Sequence, residues 1–236
     1  FRLGDISKAI QLLDVYPEWN KAYIDRYKSL RELARNGFEQ YPLYSQKKAA
    51  AKQDVVYLLH NSLPYFSGGY ATRSNGVIGG IKTNGWDISA VSRLGFPNDT
   101  KKGPAKNRIE TIDGIDYSLL VDDEFNVYKT PLSDYLIAYG EALYQKLKEN
   151  PPKVIHAASF FMNGIAAVYA ARKLGCKAVY EIRGLNELSK MSDQPHWAGS
   201  EHYRMMVRME TQAALDADRV FTLTQALKDE FVNRGV

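Results

Sequence analysis

The apolar positions of this chain change period near residue 54. Before that point they recur at helical spacing, as Ile6, Ile10 and Leu13 and then as Tyr23, Tyr27, Leu30 and Leu33. Pro17 breaks the first stretch, and the second, from Trp19 to about Asn36, stops at Asn36-Gly37. Residues 1–45 are therefore expected to be helical. The polar, Lys- and Ala-rich segment from Gln46 to Gln53 reads as a linker.

From Asp54 onward, short apolar runs of strand length alternate with amphipathic stretches. Asp54 to His60 has the near-continuous hydrophobicity of a strand buried on both faces. A helix is expected from about Tyr70 to Asn84, closed by Gly85, and a strand from Trp86 to Arg93. Arg108 to Val121 reads as a hairpin turning at Asp113-Gly114. Pro131 is placed at the first position of a helix running to about Glu149. Further strands are expected at Lys153–His156, Lys177–Ile182 and Arg219–Leu223. Further helices are expected at Phe161–Leu174, ended by Gly175, at Glu201 to about Leu215, and at Gln225–Arg234. Ser189 to Ser200 reads as a long loop, either a lid or disordered. Alternation of this kind predicts an α/β fold: a doubly wound, mainly parallel Rossmann-like sheet with helices on both faces, preceded by a helical extension. The domain reading is 1–53 for the extension and linker and 54–236 for the sheet domain.

Composition narrows the function classes. With 236 residues, 45% hydrophobic and 25% charged, the chain can bury a sizeable core. No apolar run approaches the ~18 residues that span a bilayer. Cys176 is the one cysteine, so no internal disulfide can form, and a reducing, cytoplasmic setting is expected. The formal charge of +4 fits phosphate-bearing ligands or peripheral contact with an anionic membrane surface. No Lys/Arg cluster or motif accompanies it, so nucleic-acid binding is not expected. The chain starts at Phe1 and stops just after a Gly-terminated helix, which reads as a fragment of a longer protein.

In a parallel sheet of this kind, ligands sit at the carboxyl ends of the strands. The loop from His60 and Asn61 to Arg73 places Gly68-Gly69 at the junction with a helix, where bare backbone amides can meet an anion. Arg73, one turn on, could pair with a phosphate. The alternative is that the two glycines only make the turn. The loop lacks G-x-G-x-x-G, so it is no dinucleotide fingerprint. His156, near a strand end and before small residues, could move a proton near neutral pH or simply pack; Asn163 lies just beyond it. Glu181 and Arg183, two apart, should share one side, as a site pair or as a structural ion pair, with Glu187 following. Asp216-Ala-Asp218 has a metal-binding spacing but lies at the amino end of a strand, and Asp122-Asp123-Glu124 reads as a solvated turn. No metal is expected.

Taken in order, these segments resemble a known family. H-N-S-L-P-Y-x-S-G-G-Y-A-T-R, V-S-R-L-G-F-P, I-H-A-A-S, V-Y-E-I-R-G and the closing E-x-x-A-x-x-x-A-D-R-V-F-T-L-T-x-A-L-K (Glu210–Lys228) are similar to the N-terminal domain of group 1 glycosyltransferases. The resemblance covers about 54–236. It implies a retaining enzyme of two facing Rossmann-like domains that uses a nucleotide-sugar as donor substrate, with no metal or other cofactor. By the same token Gly68, Gly69 and Arg73 approach the donor diphosphate. The N-terminal domain holds a glycan or lipid-linked acceptor, and His60, Asn61, Asn163, Glu181, Arg183 and Glu187 are its candidate contacts. The C-terminal Rossmann-like partner domain, carrying E-x7-E, lies outside this chain, so the chain alone is expected to be inactive. Some relatives carry H-x-H where this chain has His156-Ala-Ala158, which bears on a catalytic His156. The rival expectation is a non-catalytic sugar- or phosphate-binding module of the same fold.

Overall fold

In the computed structural model, which describes residues 4–16, 21–45, 50–100 and 108–236, the change of period marks the passage from two helices to a seven-stranded sheet. The extension forms α1 (Ile6–Val15) and α2 (Lys21–Asn36). Asp5 caps α1 by accepting from the Lys8 amide, and Gly37, with a positive φ of 77°, closes α2. The expected break at Pro17, the start at Trp19 and the first half of the linker lie outside the described residues.

The strands are β1 (Gln53–Leu59), β2 (Ile88–Ser92), β3 (Ile109–Ile112), β4 (Ile115–Ser118), β5 (Pro152–Ala158), β6 (Lys177–Ile182) and β7 (Arg219–Thr222), in the spatial order β3-β4-β2-β1-β5-β6-β7. All pairs are parallel except β3–β4. That hairpin turns at Asp113 (φ 51°) and Gly114 (φ 70°), two positive φ values in succession as a type I′ turn requires. The connecting helices are α3 (Gly69–Thr83), α4 (Leu132–Leu147), α5 (Phe161–Leu174), α6 (Asn186–Asp193), α7 (Glu201–Asp216) and α8 (Gln225–Asn233). The fold is the expected α/β Rossmann-like one.

Register assigns the two faces. Val56, Leu58, Ile155, Ala157, Tyr180 and Ile182 point to one side, into a large core with α4, α5 and α7 that also takes Ile6, Ile10, Leu30, Leu33 and Phe38. The extension is thus part of the main core. Phe38 and Gln212 exchange two hydrogen bonds, 2.8 Å from the Phe38 amide and 2.7 Å to its carbonyl. The Arg26 guanidinium donates to the Thr130 carbonyl at 2.6 Å. Of the four apolar positions at helical spacing along α2, Leu30 and Leu33 are buried and Tyr27 packs on the same core, but Tyr23 is 48% exposed.

The other face is smaller: Val55, Tyr57, Leu59, Ile88, Ala90 and Tyr117 lie under Ile78 of α3. Toward β7 this face is open, and Phe221 is 54% exposed.

Two expectations need correction. Ser189–Ser200 is not a long loop: α6 runs to Asp193 and a 3-10 turn covers Pro195–Trp197. Trp197 is fully buried, 4.8 Å from the His202 ring and with the Lys190 ammonium 3.5 Å above its own ring, so the segment is anchored by one large side chain. Pro131 is the cap of α4 rather than its first residue, a one-residue shift.

Candidate functional site

The carboxyl ends of β1, β5 and β6 meet the amino ends of α3, α5 and α6, and Tyr70 ties them together. Its hydroxyl accepts from the His60 amide (3.0 Å) and donates to the Ala158 and Ser159 carbonyls (2.8 and 2.9 Å). Burial pushes the phenol well above its ordinary pKa, so it stays a neutral donor.

Gly68 caps α3 and Gly69 is its first residue. Neither has a positive φ, so neither glycine is demanded by the turn itself. A Cβ on Gly69 would meet nothing within 4 Å, whereas one on Gly68 would strike the Phe66 ring at 2.6 Å. The first amides of a helix lack intrahelical acceptors, so a bare, uncovered Gly69 leaves them open to an anion. Arg73 is exposed one turn on and has no ion pair among the described residues.

Arg183 stands differently. Its Nε donates to Glu181 (2.9 Å), one terminal nitrogen to Ser74 Oγ (2.8 Å) and the Tyr70 carbonyl (3.2 Å), and the other to the Tyr57 hydroxyl (2.8 Å). The fork is used up inside the protein and fixes the first turns of α3 against the sheet. Glu181 also takes hydrogen bonds from Tyr57 and from His156 Nε2, the latter at 3.0 Å. Burial alone would raise the Glu181 pKa, but these donors outweigh it and hold the carboxyl at about 2. The same-side placement of Glu181 and Arg183 is as expected from their spacing.

His156 is not at the strand end. β5 continues to Ala158, and the imidazole lies over the open sheet face, 4.5 Å from the Tyr57 ring and 5.8 Å from Phe221. Its Nε2 faces Glu181. Asn163 is fully buried in the first turn of α5, donating to the Ala158 carbonyl (2.7 Å) and accepting from Tyr139 (3.0 Å). Glu187 is fully buried and paired with Arg234 at 3.0 Å, joining α6 to α8. Asn163 and Glu187 are therefore committed to contacts within the scaffold. Asn61 is half-exposed in the β1–α3 loop. Asp218 pairs with Lys177 (2.6 Å) and Asp123 with Asn98 (2.9 Å), so both acidic clusters brace local structure.

Beside the Tyr70 junction lies a pocket of about 340 Å³, walled by α2, α4 and α7 and floored by His60 and Phe160–Met162. The pattern of strands and loops gave no hint of it, because two of its walls come from different helices of the extension and the main domain. Its buried carboxyl, Glu210, accepts from the Phe161 amide (3.1 Å) and Tyr180 (2.5 Å), and burial raises its pKa to about 7. A glutamate within the otherwise apolar stripe of Met205, Met209 and Ala213 on α7 is the signal that marks it. Burial holds His60 and His202 neutral, at about 3 and about 4. The Nδ1 atom of His60 is buried with no partner among the described residues.

No curated protein matches the chain. Among solved structures, the catalytic domain of starch synthase IV from Arabidopsis thaliana, bound to ADP and acarbose, aligns with 57% of this chain and 34% of its own length, at 11% identity and a TM-score of 0.42. A Listeria monocytogenes protein described as a UDP-N-acetylglucosamine 2-epimerase aligns over 78% and 43%, at 12% identity and a TM-score of 0.47. MurG of Acinetobacter baumannii aligns over 72% and 42%, at 13% identity and a TM-score of 0.40. The chain spans between 34% and 43% of the length of these three proteins. The sequence model of the glycosyl transferase 4-like domain matches residues 68–236, from the first glycine of the α3 loop to the last residue and so over more than half the chain. The chain belongs to the glycosyl transferase 4-like domain family.

Proposed function

We propose that this chain is the acceptor-side half of a nucleotide-sugar-dependent glycosyltransferase that moves a sugar, with retention, onto a glycan or lipid-linked acceptor. The observation that carries the proposal is the bare amino end of α3. Gly69 opens onto free space, Arg73 stands exposed beside it with no ion pair among the described residues, and Arg183 holds the first turn against the sheet. A donor diphosphate placed there gains negative charge as the glycosidic bond breaks. Fixed amides and a cation stabilise that charge without reorganising. In this reading a second Rossmann-like domain supplies most donor contacts, no metal is used, and the departing phosphate assists attack on the same face. His156, bound to Glu181 over the open sheet face, has a supporting role rather than that of a base at the reacting carbon. The sites of contact with acceptor are His60 and Asn61.

The test is donor use by the protein that contains this chain and its partner domain. Gly69→Val should cut it by at least about tenfold, ~1.4 kcal/mol on the transition state. Because Gly69 has no positive φ and its Cβ direction is free, stability should fall less than that. Arg73→Ala should lose donor use while melting near the parent temperature. Normal kinetics in Arg73→Ala with a destabilised Gly69→Val would end the phosphate reading of the loop. Sugar binding with no transfer to any acceptor would instead favour a binding module, and robust transfer by residues 1–236 alone would remove the need for a second domain.

A further inference from the structure

The pocket between the extension and the main domain has a chemistry that the donor loop does not need. Its walls are apolar: Leu30 from α2, Leu132 from α4, Val127 just before it, and Met162, Met205 and Met206 from α5 and α7. Three methionines give adaptable surfaces that suit a flexible hydrocarbon better than a rigid polar sugar ring. The volume of about 340 Å³ lies within the range of small-molecule sites.

Six polar or titratable side chains line this space: Arg26, His60, Tyr128, Asn186, His202 and Glu210. Burial keeps His60 and His202 uncharged, and the Glu210 carboxyl is turned to the Phe161 amide and the Tyr180 hydroxyl. Arg26 of α2 is the cation of the lining, held in place by the Thr130 carbonyl. The orphan Nδ1 of His60 adds one unused hydrogen-bonding atom at the floor, on the same loop that leads to Gly68-Gly69. An unpaired buried polar atom beside apolar walls fits a ligand with a hydrocarbon body and a polar end.

We propose that this pocket is the acceptor subsite for an amphiphile, a hydrocarbon chain bearing an anionic group, with α2 as the wall that sets its specificity. The hydrocarbon lies against the methionines and Leu30, the anionic group pairs with Arg26, and a hydroxyl of the acceptor reaches His60. This rests on the transferase reading above but is tested without transfer. The family match begins at Gly68, so the α2 wall lies outside the matched residues.

The experiment is calorimetric titration of the chain with decyl phosphate, 1-decanol and inorganic phosphate. Decyl phosphate should bind saturably, decanol more weakly and inorganic phosphate weakest. Met206→Trp, which fills the space, should weaken decyl phosphate at least about tenfold, a loss of ~1.4 kcal/mol in binding. Met162→Phe is the second filling variant should Met206→Trp fail to fold. Arg26→Gln should weaken decyl phosphate at least fivefold and leave decanol unchanged. Three results overturn the proposal: no saturable binding of decyl phosphate, equal binding by a folded filling variant, or equal affinity for decyl and inorganic phosphate. Loss of donor use in Arg73→Ala alongside a failed titration would sink the subsite and spare the transferase reading. The converse pattern would do the reverse.

Discussion

Glu210 is a carboxyl whose ionisation the fold shifts up to about pH 7. Burial is the main cause, Glu187 nearby adds to it, and the hydrogen bonds from Tyr180 and the Phe161 amide only partly offset them. A folded pKa raised from 4.5 to about 7 means that the folded state holds a proton the unfolded chain has released. The stability from this group is therefore fully present below pH about 4.5 and is lost as pH rises through about 7, on the order of 2–3 kcal/mol. His60 and His202 act in the opposite sense. Their pKa values are depressed, so their contribution is present above pH ~6.5 and falls as the pH drops. Comparison with Glu210→Gln separates the effects. The wild type should lose about 2–3 kcal/mol relative to the variant between pH 5 and 8, measured by urea unfolding. A constant difference across that window would mean that Glu210 ionises normally.

Elements whose ends are written in residue chemistry were legible from the chain. α5 begins and ends where expected because Gly175 takes the left-handed conformation that closes it, and the β3–β4 turn follows from Asp113-Gly114. α6 was not, because it is short and its buried side is Glu187, a charged residue whose partner Arg234 is 47 positions away. The same distance problem hid the site. Gly68, Gly69 and Arg73 are local and readable, but the internal roles of Asn163 and Arg183 depend on Tyr139, Tyr57 and Ser74, which pattern alone does not bring together. Helix packing gives a sharp element-scale prediction. A Cβ on Gly140 would overlap the base of the Tyr169 side chain where α4 meets α5, whereas one on Gly76, on the exposed side of α3, meets nothing within 4 Å. Gly140→Ala should cost about 1–3 kcal/mol despite its helix propensity. Gly76→Ala should gain about 0.5–1 kcal/mol. Equal melting temperatures for the two would refute close α4–α5 packing.

At the scale of the whole molecule, the extension decides what counts as a folding unit. Sequence pattern separates residues 1–53 from the sheet domain at a polar segment, and the family match begins only at Gly68. Packing cuts across both boundaries. Ile6, Ile10, Leu30, Leu33 and Phe38 are each under 5% exposed within the core that takes in α4, α5 and α7. Ser7 of α1 donates twice to Glu201, at 2.5 and 2.6 Å, and Phe38 and Gln212 close the other end. Removing residues 1–45 would uncover this surface and open one wall of the pocket. Burying each such side chain is worth about 1.5–3 kcal/mol, so the loss is comparable with the ~5–15 kcal/mol that holds an ordinary domain together. The truncated chain should therefore be aggregation-prone or bind a hydrophobic dye without heating, with a far-UV signal largely kept and a broadened melt. A truncated chain that stays monomeric and melts cooperatively within a few degrees of the whole would make the extension an appendage. It would also place the proposed acceptor wall of α2 on a detachable piece rather than within the core.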